Sequence, residues 1–167
     1  MARRCDSVAR IDGDFSLLCC DLSMRRPGFA VLEYCAASKS VTVDIFKHVN
    51  NKGRKSHGEM LENIADAFAS FIQRDQAAVC VRERGFSRFA NETQCLFKVI
   101  GVADLLLWQH WRARFQELAP ASVKKLLAGS GRASKQDVAD ALTRNVGKQR
   151  YACDDESDAV AVGVAWL

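Results

Sequence analysis

The chain has little of what marks a disordered, membrane-bound or disulfide-built protein. Only 2 of its 167 residues are proline and 49% are apolar, a balance that excludes a solvated, unfolded polymer. No apolar run reaches the roughly 18 residues of a membrane-spanning helix, and no secretory leader precedes the first strand candidate. Its 7 cysteines are odd in number and lack any C-x-x-C pair. Cys19 and Cys20 are adjacent, so on a strand they point to opposite faces and cannot bridge each other. These read as reduced core thiols of a soluble cytoplasmic protein, in preference to a disulfide framework or a zinc site. An excess of one charge is also missing: 24 Lys and Arg against 20 Asp and Glu leave +4, too little on its own to name a polyanionic partner.

What is present is a patterned chain long enough for a full core. Residues 1–14 carry no periodic pattern and read as a mobile tail before one domain over 15–167. FSLLCCDLS (15–23) is an apolar strand interrupted by Asp21, and GFAVLEYCA (28–36) and SVTVDIFKHV (40–49) are two more strands around a short polar turn, an antiparallel meander. At Ser56 the period changes. Ser56 and Glu59 form a capping box, and Met60, Ile64, Phe68, Phe71 and Ile72 mark a helical stripe. AAVCVRE (77–83) is a buried strand, parallel to the first through a right-handed crossover. The helix over 92–111 carries Leu96, Val99, Ile100, Ala103 and Leu107 on one stripe, with Phe97, Leu105 and Trp108 off it. It serves either as a central core helix or as one that also packs on a second subunit. RFQELA (114–119) reads as a fifth strand, with helices near 120–128, 134–145 and from about 155. The order βββαβαβααα implies an α/β domain with a mixed five-stranded sheet flanked by helices.

Acidic residues stand where charge is costly. Asp21 breaks a buried strand, Glu83 ends the next parallel strand, and Asp155 and Asp158 lie one turn apart at the start of the last helix. Convergent carboxylates about 4 Å apart repel by about 4 kcal/mol at an effective dielectric of 20, which hard divalent cations relieve. Two milder readings stay open. Asp155 and Asp158 could simply complement a helix dipole, and Glu83 could pair with Arg82 or Arg84.

Cations cluster beside these acids. Arg25 and Arg26 follow Asp21; Lys52, Arg54 and Lys55 populate what reads as a flexible loop over 50–57; Arg84, Phe86 and Arg88 follow Glu83; Lys124, Lys125, Arg132 and Lys135 bracket Gly129-Ser130-Gly131. Cations around an acidic centre suit the cutting of a polyanionic backbone.

In this order the motifs resemble the RuvC family of Holliday-junction resolvases. Asp21-Leu-Ser-Met-Arg-Arg-Pro-Gly28-Phe, Val-Arg-Glu83-Arg-Gly-Phe86, Val123-Lys124 with Ser134-Lys135, and Asp155-Glu-Ser-Asp158-Ala span about nine tenths of the chain. Leu22 and Met24 stand where the family usually has small residues. The resemblance implies an RNase H-like fold and a structure-selective endodeoxyribonuclease making paired, symmetric nicks in four-way DNA. It implies two Mg²⁺ ions, with Mn²⁺ as substitute, on Asp21, Glu83, Asp155 and Asp158. Lys124 and Lys135 would steady the phosphate, and Phe86 would stack on an unpaired base. Arg25, Arg26, Lys52, Arg54, Lys55, Arg84, Arg88, Lys125 and Arg132 would contact DNA. A homodimer through residues 92–111 is implied, with no membrane and no small-molecule substrate. Another RNase H-like nuclease acting on RNA, hybrids or flaps, or a non-catalytic junction-binding protein, are the alternatives. In the last helix Asp154 reads as a cap, Glu156 points away, and the small Ala159, Ala161 and Gly163 let the helix approach the sheet.

Overall fold

The protein is described by a computed structural model over residues 11–74, 76–85 and 89–167. The tail reading over residues 1–10 lies outside that range. The elements follow the expected order: β1 (Phe15–Asp21), β2 (Gly28–Cys35), β3 (Ser40–His48), α1 (His57–Ile72), β4 (Val79–Glu83), α2 (Ala90–Trp111), β5 (Gln116–Leu118), α3 (Pro120–Ala128), α4 (Lys135–Val146) and α5 (Asp154–Trp166). The sheet runs β3-β2-β1-β4-β5. β1 pairs antiparallel with β2, and β2 with β3; β4 is parallel to β1, and β5 to β4. None of the described helices is long and apolar enough to cross a membrane.

Strand alternation divides the core in two. Leu18 and Cys20 of β1, Phe29 of β2 and Cys80 of β4 face α1 and α2. Leu17 and Cys19, Ala30 and Leu32, and Val79 and Val81 face α3, α4 and α5. Cys19 and Cys20 therefore lie in different clusters, both fully buried and unbridged. The Ser56–Glu59 capping box forms as expected, because the hydroxyl accepts the Glu59 N–H while the carboxylate returns to the Ser56 N–H.

The loop after β3 is anchored, which corrects its reading as flexible. Asn51 is 1% exposed. Its Nδ2 donates to the carbonyls of Met24 at 2.8 Å and Met60 at 3.3 Å, its Oδ1 accepts from Asn63, and its N–H donates to the Arg25 carbonyl. A buried amide with all these partners pins the loop to the β1–β2 connection. An Asn in a run of polar residues carries no periodic signature, so the sequence hid it.

α5 lies close on the sheet, as its small residues allow. A Cβ on Gly163 would stand 2.3 Å from both Cys19 Sγ and Leu32 Cδ1. Gly163→Ala is expected to cost about 1–3 kcal/mol through overpacking, lowering the melting midpoint by roughly 5 °C. Thermal denaturation followed by circular dichroism checks this; an unchanged midpoint would mean that α5 can lift from the sheet at no cost.

Candidate active site

Asp21 and Glu83 end neighbouring parallel strands. Cys20 is in register with Arg82, so the next residues, Asp21 and Glu83, stand side by side at the carboxyl edge of the sheet, where open α/β sheets place their ligands. Period two sends both side chains to the face that carries Cys19 and Val81, the α5 face. Arg82, between them in the alternation, points the other way: it is buried, pairs with Glu117, lies 4.0 Å from Asp104 and sits over the Phe115 ring. Arg84 also pairs with Glu117, at 3.3 Å. The reading in which Arg82 or Arg84 neutralises Glu83 is thereby overturned, because both cations serve β5.

α5 brings the remaining acids to the same edge. Its N-cap is Cys153, which makes no side-chain capping bond. Asp154 is not the cap. It is the first helical residue and accepts a 2.6 Å hydrogen bond from Lys135 Nζ, which holds its carboxyl below the usual range. Arg26 Nε reaches Asp155 Oδ2 at 3.5 Å. Glu156 turns away, as expected, and is buried against His48.

The carboxylates feel one another. Burial first, then the charges of Glu83, Asp158 and Asp155, push Asp21 up to about 7. Burial and Asp158 push Glu83 up to about 7, while Lys124 opposes. Asp158 is raised by burial, with Lys135 and Lys124 pulling down and Asp154 and Asp155 pushing up. Carboxyls raised by burial and by specific charged neighbours beside a cleft make this edge the candidate functional site. A cleft of about 390 Å³, lined by Glu83, Lys124, Lys135, Asp154 and Asp158 among others, opens beside them. A larger cavity of about 530 Å³ lies between residues 22–25 and the starts of α1 and α2, but Leu22, Met24, Met60 and Leu96 dominate it and none of the four converging acids lines it. Charge identifies the site here, and volume does not.

Among the described residues, no three His, Cys, Asp or Glu side chains already stand close enough to chelate one ion. The four carboxylates nevertheless offer only oxygen donors, and burial, with the charges of neighbouring carboxylates added, pushes Asp21 and Glu83 up to about 7. That chemistry fits a hard divalent cation.

The cations divide. Lys124 and Lys135 line the cleft, whereas Lys125 and Arg132 are exposed outside its lining. Arg25, Arg26 and Lys52 line a shallow concavity of about 330 Å³ with Asn50 and Gly53. Arg54 and Lys55 are exposed on the anchored loop. Phe86 and Arg88, expected from the sequence to stack on a base and to contact DNA, lie outside the described residues.

Comparison with known proteins agrees with this geometry. A family model described as "Crossover junction endodeoxyribonuclease RuvC" matches residues 17–166. A Synechococcus protein of that description is 31% identical over 155 residues, covering 88% of this chain and 95% of its own. One from Prochlorococcus marinus is 27% identical over 148 residues, covering 88% and 92%. Among solved structures, Thermus thermophilus RuvC in complex with a Holliday junction substrate superposes with a TM-score of 0.80 at 18% identity, covering 90% of this chain and 92% of that one. The fowlpox virus resolvase bound to Holliday junction DNA gives 0.60 at 13% identity, covering 90% and 97%.

Proposed function

Because the chain belongs to the RuvC crossover junction endodeoxyribonuclease family, whose members are hydrolytic endonucleases, we propose that it resolves four-way DNA junctions by paired nicks, with residues 15–167 acting as one catalytic domain. The observation that supports this most is the pairing of Asp21 and Glu83 at adjacent parallel strand ends, facing Asp155 and Asp158 of α5.

These four acids would hold two Mg²⁺ ions, or Mn²⁺ in their place. When bound, such ions lower the pKa of water for attack on phosphorus and neutralise the charge that develops on the leaving oxygen. Lys124 and Lys135 line the cleft and meet the non-bridging oxygens of the scissile phosphate as their charge grows. For Lys135 this means exchanging its bond to Asp154 for one to phosphate. Arg25, Arg26 and Lys52 follow the adjoining backbone, each by charge and without reading bases.

A four-way junction is nearly two-fold symmetric and needs two cuts, so two active sites related by one two-fold axis match it. α2 supplies a surface for that pairing. Val99, Ile100, Ala103 and Leu107 are buried, while Phe97, Leu105 and Trp108 are 58%, 55% and 44% exposed. Gly101 is exposed midway between Phe97 and Leu105, with nothing within 4 Å of a Cβ built on it. An antiparallel two-fold crossing at Gly101 sets Phe97 of each copy against Leu105 of the other. Leu105→Glu is expected to give a folded monomer in light scattering at micromolar concentration; a wild-type monomer would remove this surface.

The deciding experiment presents a synthetic four-way junction, duplex, flap and RNA–DNA hybrid, each with and without Mg²⁺. Symmetric cutting of the junction alone, dependent on metal, is expected. Preferred cutting of hybrid or flap would move the protein to another substrate class, and junction binding without cutting in Mg²⁺ would make it a recognition protein.

A further inference from the structure

The start of α5 is held by a carboxylate that the chemistry does not use. Glu156 is 5% exposed, and its two oxygens go in different directions. Oε1 lies 2.9 Å from His48 Nδ1 at the end of β3, and Oε2 accepts the Ala152 N–H at 2.7 Å. The second bond folds the segment that enters the helix, just before the N-cap Cys153, back onto the first turn of α5. The first bond ties the helix to the edge strand. His48 is also in register with Gly28, the residue whose Cα lies under the Asp155 carbonyl. Three elements therefore meet at one point: the start of β2, the end of β3 and the start of α5.

Helical geometry gives this anchor its consequence. At about 100° per residue, Asp155 and Asp158 stand roughly 60° apart on one face, and Glu156 stands about 100° and 160° from them on the other. Whatever fixes Glu156 fixes the rotation of α5 about its own axis. At a side-chain radius of about 6 Å, a turn of 10° displaces a carboxylate by about 1 Å. That displacement is of the size that costs about 10²-fold in rate when reacting groups must be aligned.

We propose that Glu156, clamped by His48 and the Ala152 backbone, is the positioning residue that sets the rotation of α5 and so the placement of Asp155 and Asp158. This rests on the metal-dependent nuclease reading of the same site. Glu156 touches neither substrate nor reacting atoms. Its role resembles that of the outer hydrogen bonds that orient metal ligands, whose loss costs 10–100-fold in metal affinity.

The test uses the full chain and two readouts: the Mn²⁺ concentration giving a half-maximal rise in melting temperature, and the single-turnover cleavage rate at saturating junction. Glu156→Ala is expected to raise the first about tenfold and lower the second about 100-fold, with metal-free junction affinity within threefold of wild type. Glu156→Gln keeps an acceptor for Ala152 and a donor for His48, and is expected to restore both readouts to within about threefold. His48→Ala leaves the Ala152 bond in place and is expected to fall between them, so it carries the test if Glu156→Ala fails to fold. A folded Glu156→Ala or His48→Ala with an unchanged Mn²⁺ response overturns the proposal, as does a Gln variant as impaired as the Ala variant. A wild-type protein with neither Mn²⁺ response nor cleavage overturns the nuclease reading itself, and the positioning role with it.

Discussion

Asp21→Asn is expected to abolish junction cleavage, by about 10³-fold or more, while making the metal-free protein more stable at pH 8. The loss of rate follows from removing a charged oxygen donor at the centre of the sheet, where the proposed cations would contribute several kcal/mol of transition-state stabilisation. The gain in stability follows from the direction of the shifts. Asp21 and Glu83 are both raised to about 7 in the folded protein, from ordinary values of 3.8 and 4.5. A carboxyl whose folded value is raised contributes its stabilisation fully below its unfolded value, and that contribution is lost as pH climbs through the folded value. The metal-free protein therefore weakens between about pH 4 and pH 7. The amide removes the buried charge and relieves Glu83 and Asp158, a change on the order of a few kcal/mol and roughly 5 °C or more in melting temperature. Mg²⁺ added to the wild type reproduces part of that rise, and added to the variant much less of it. Melting curves from pH 4 to pH 8, with and without Mg²⁺, and gel assays of cleavage check both halves. An Asn variant that cuts at the wild-type rate would remove Asp21 from the metal site; one that melts lower at pH 8 would mean that its carboxylate is held by partners and not strained by neighbours.

Gly28→Ala should be nearly as damaging, although it adds only a methyl group. A Cβ at residue 28 would stand 1.9 Å from the Asp155 carbonyl oxygen, 2.6 Å from its carbon and 3.3 Å from the Glu156 nitrogen. These are backbone atoms at the start of a helix, so no side chain can swing aside. To reach van der Waals contact near 3.4 Å, α5 or β2 must retreat by about 1.5 Å, a movement that carries Asp155 and Asp158 away from Asp21 and Glu83. The expected result is a loss of about 2–4 kcal/mol in stability and at least a 10²-fold fall in cleavage. Metal-free junction binding is expected to persist, since Arg25, Arg26 and Lys52 are on the adjoining loops. Denaturant titration and single-turnover kinetics measure the two effects. A variant with wild-type stability and rate would show that the helix start is not in contact with the sheet.

The family motif already marked Gly28, and the close approach of the Asp155 carbonyl leaves no room for a Cβ there. Other parts of the site were legible for simpler reasons. The four acids stand out because each is a charge in an apolar or helix-start context, and period-two alternation places Asp21 and Glu83 on one face once β1 and β4 are known to be parallel. What pattern does not reveal is pairing between side chains far apart in sequence. Arg82 stands next to Glu83 in the chain, yet it belongs to Glu117 on the opposite face. Asn51 sits in a polar run, yet it is buried and holds two loops together. Nothing local to Glu156 or His48, 108 positions apart, announces that they meet.

Sequence by itself determined the element order, the mixed sheet, the helix with apolar residues on two sides and which acids stand where charge is costly. Each of these follows from local periodicity or from a charge that its immediate neighbours make costly. Tertiary structure alone decided which cation answers which acid, how closely α5 may lie over Gly28 and Gly163, and what fixes its rotation. Those depend on distances between elements, and such distances are set only when the two core layers close on the sheet and leave each buried polar group one set of partners.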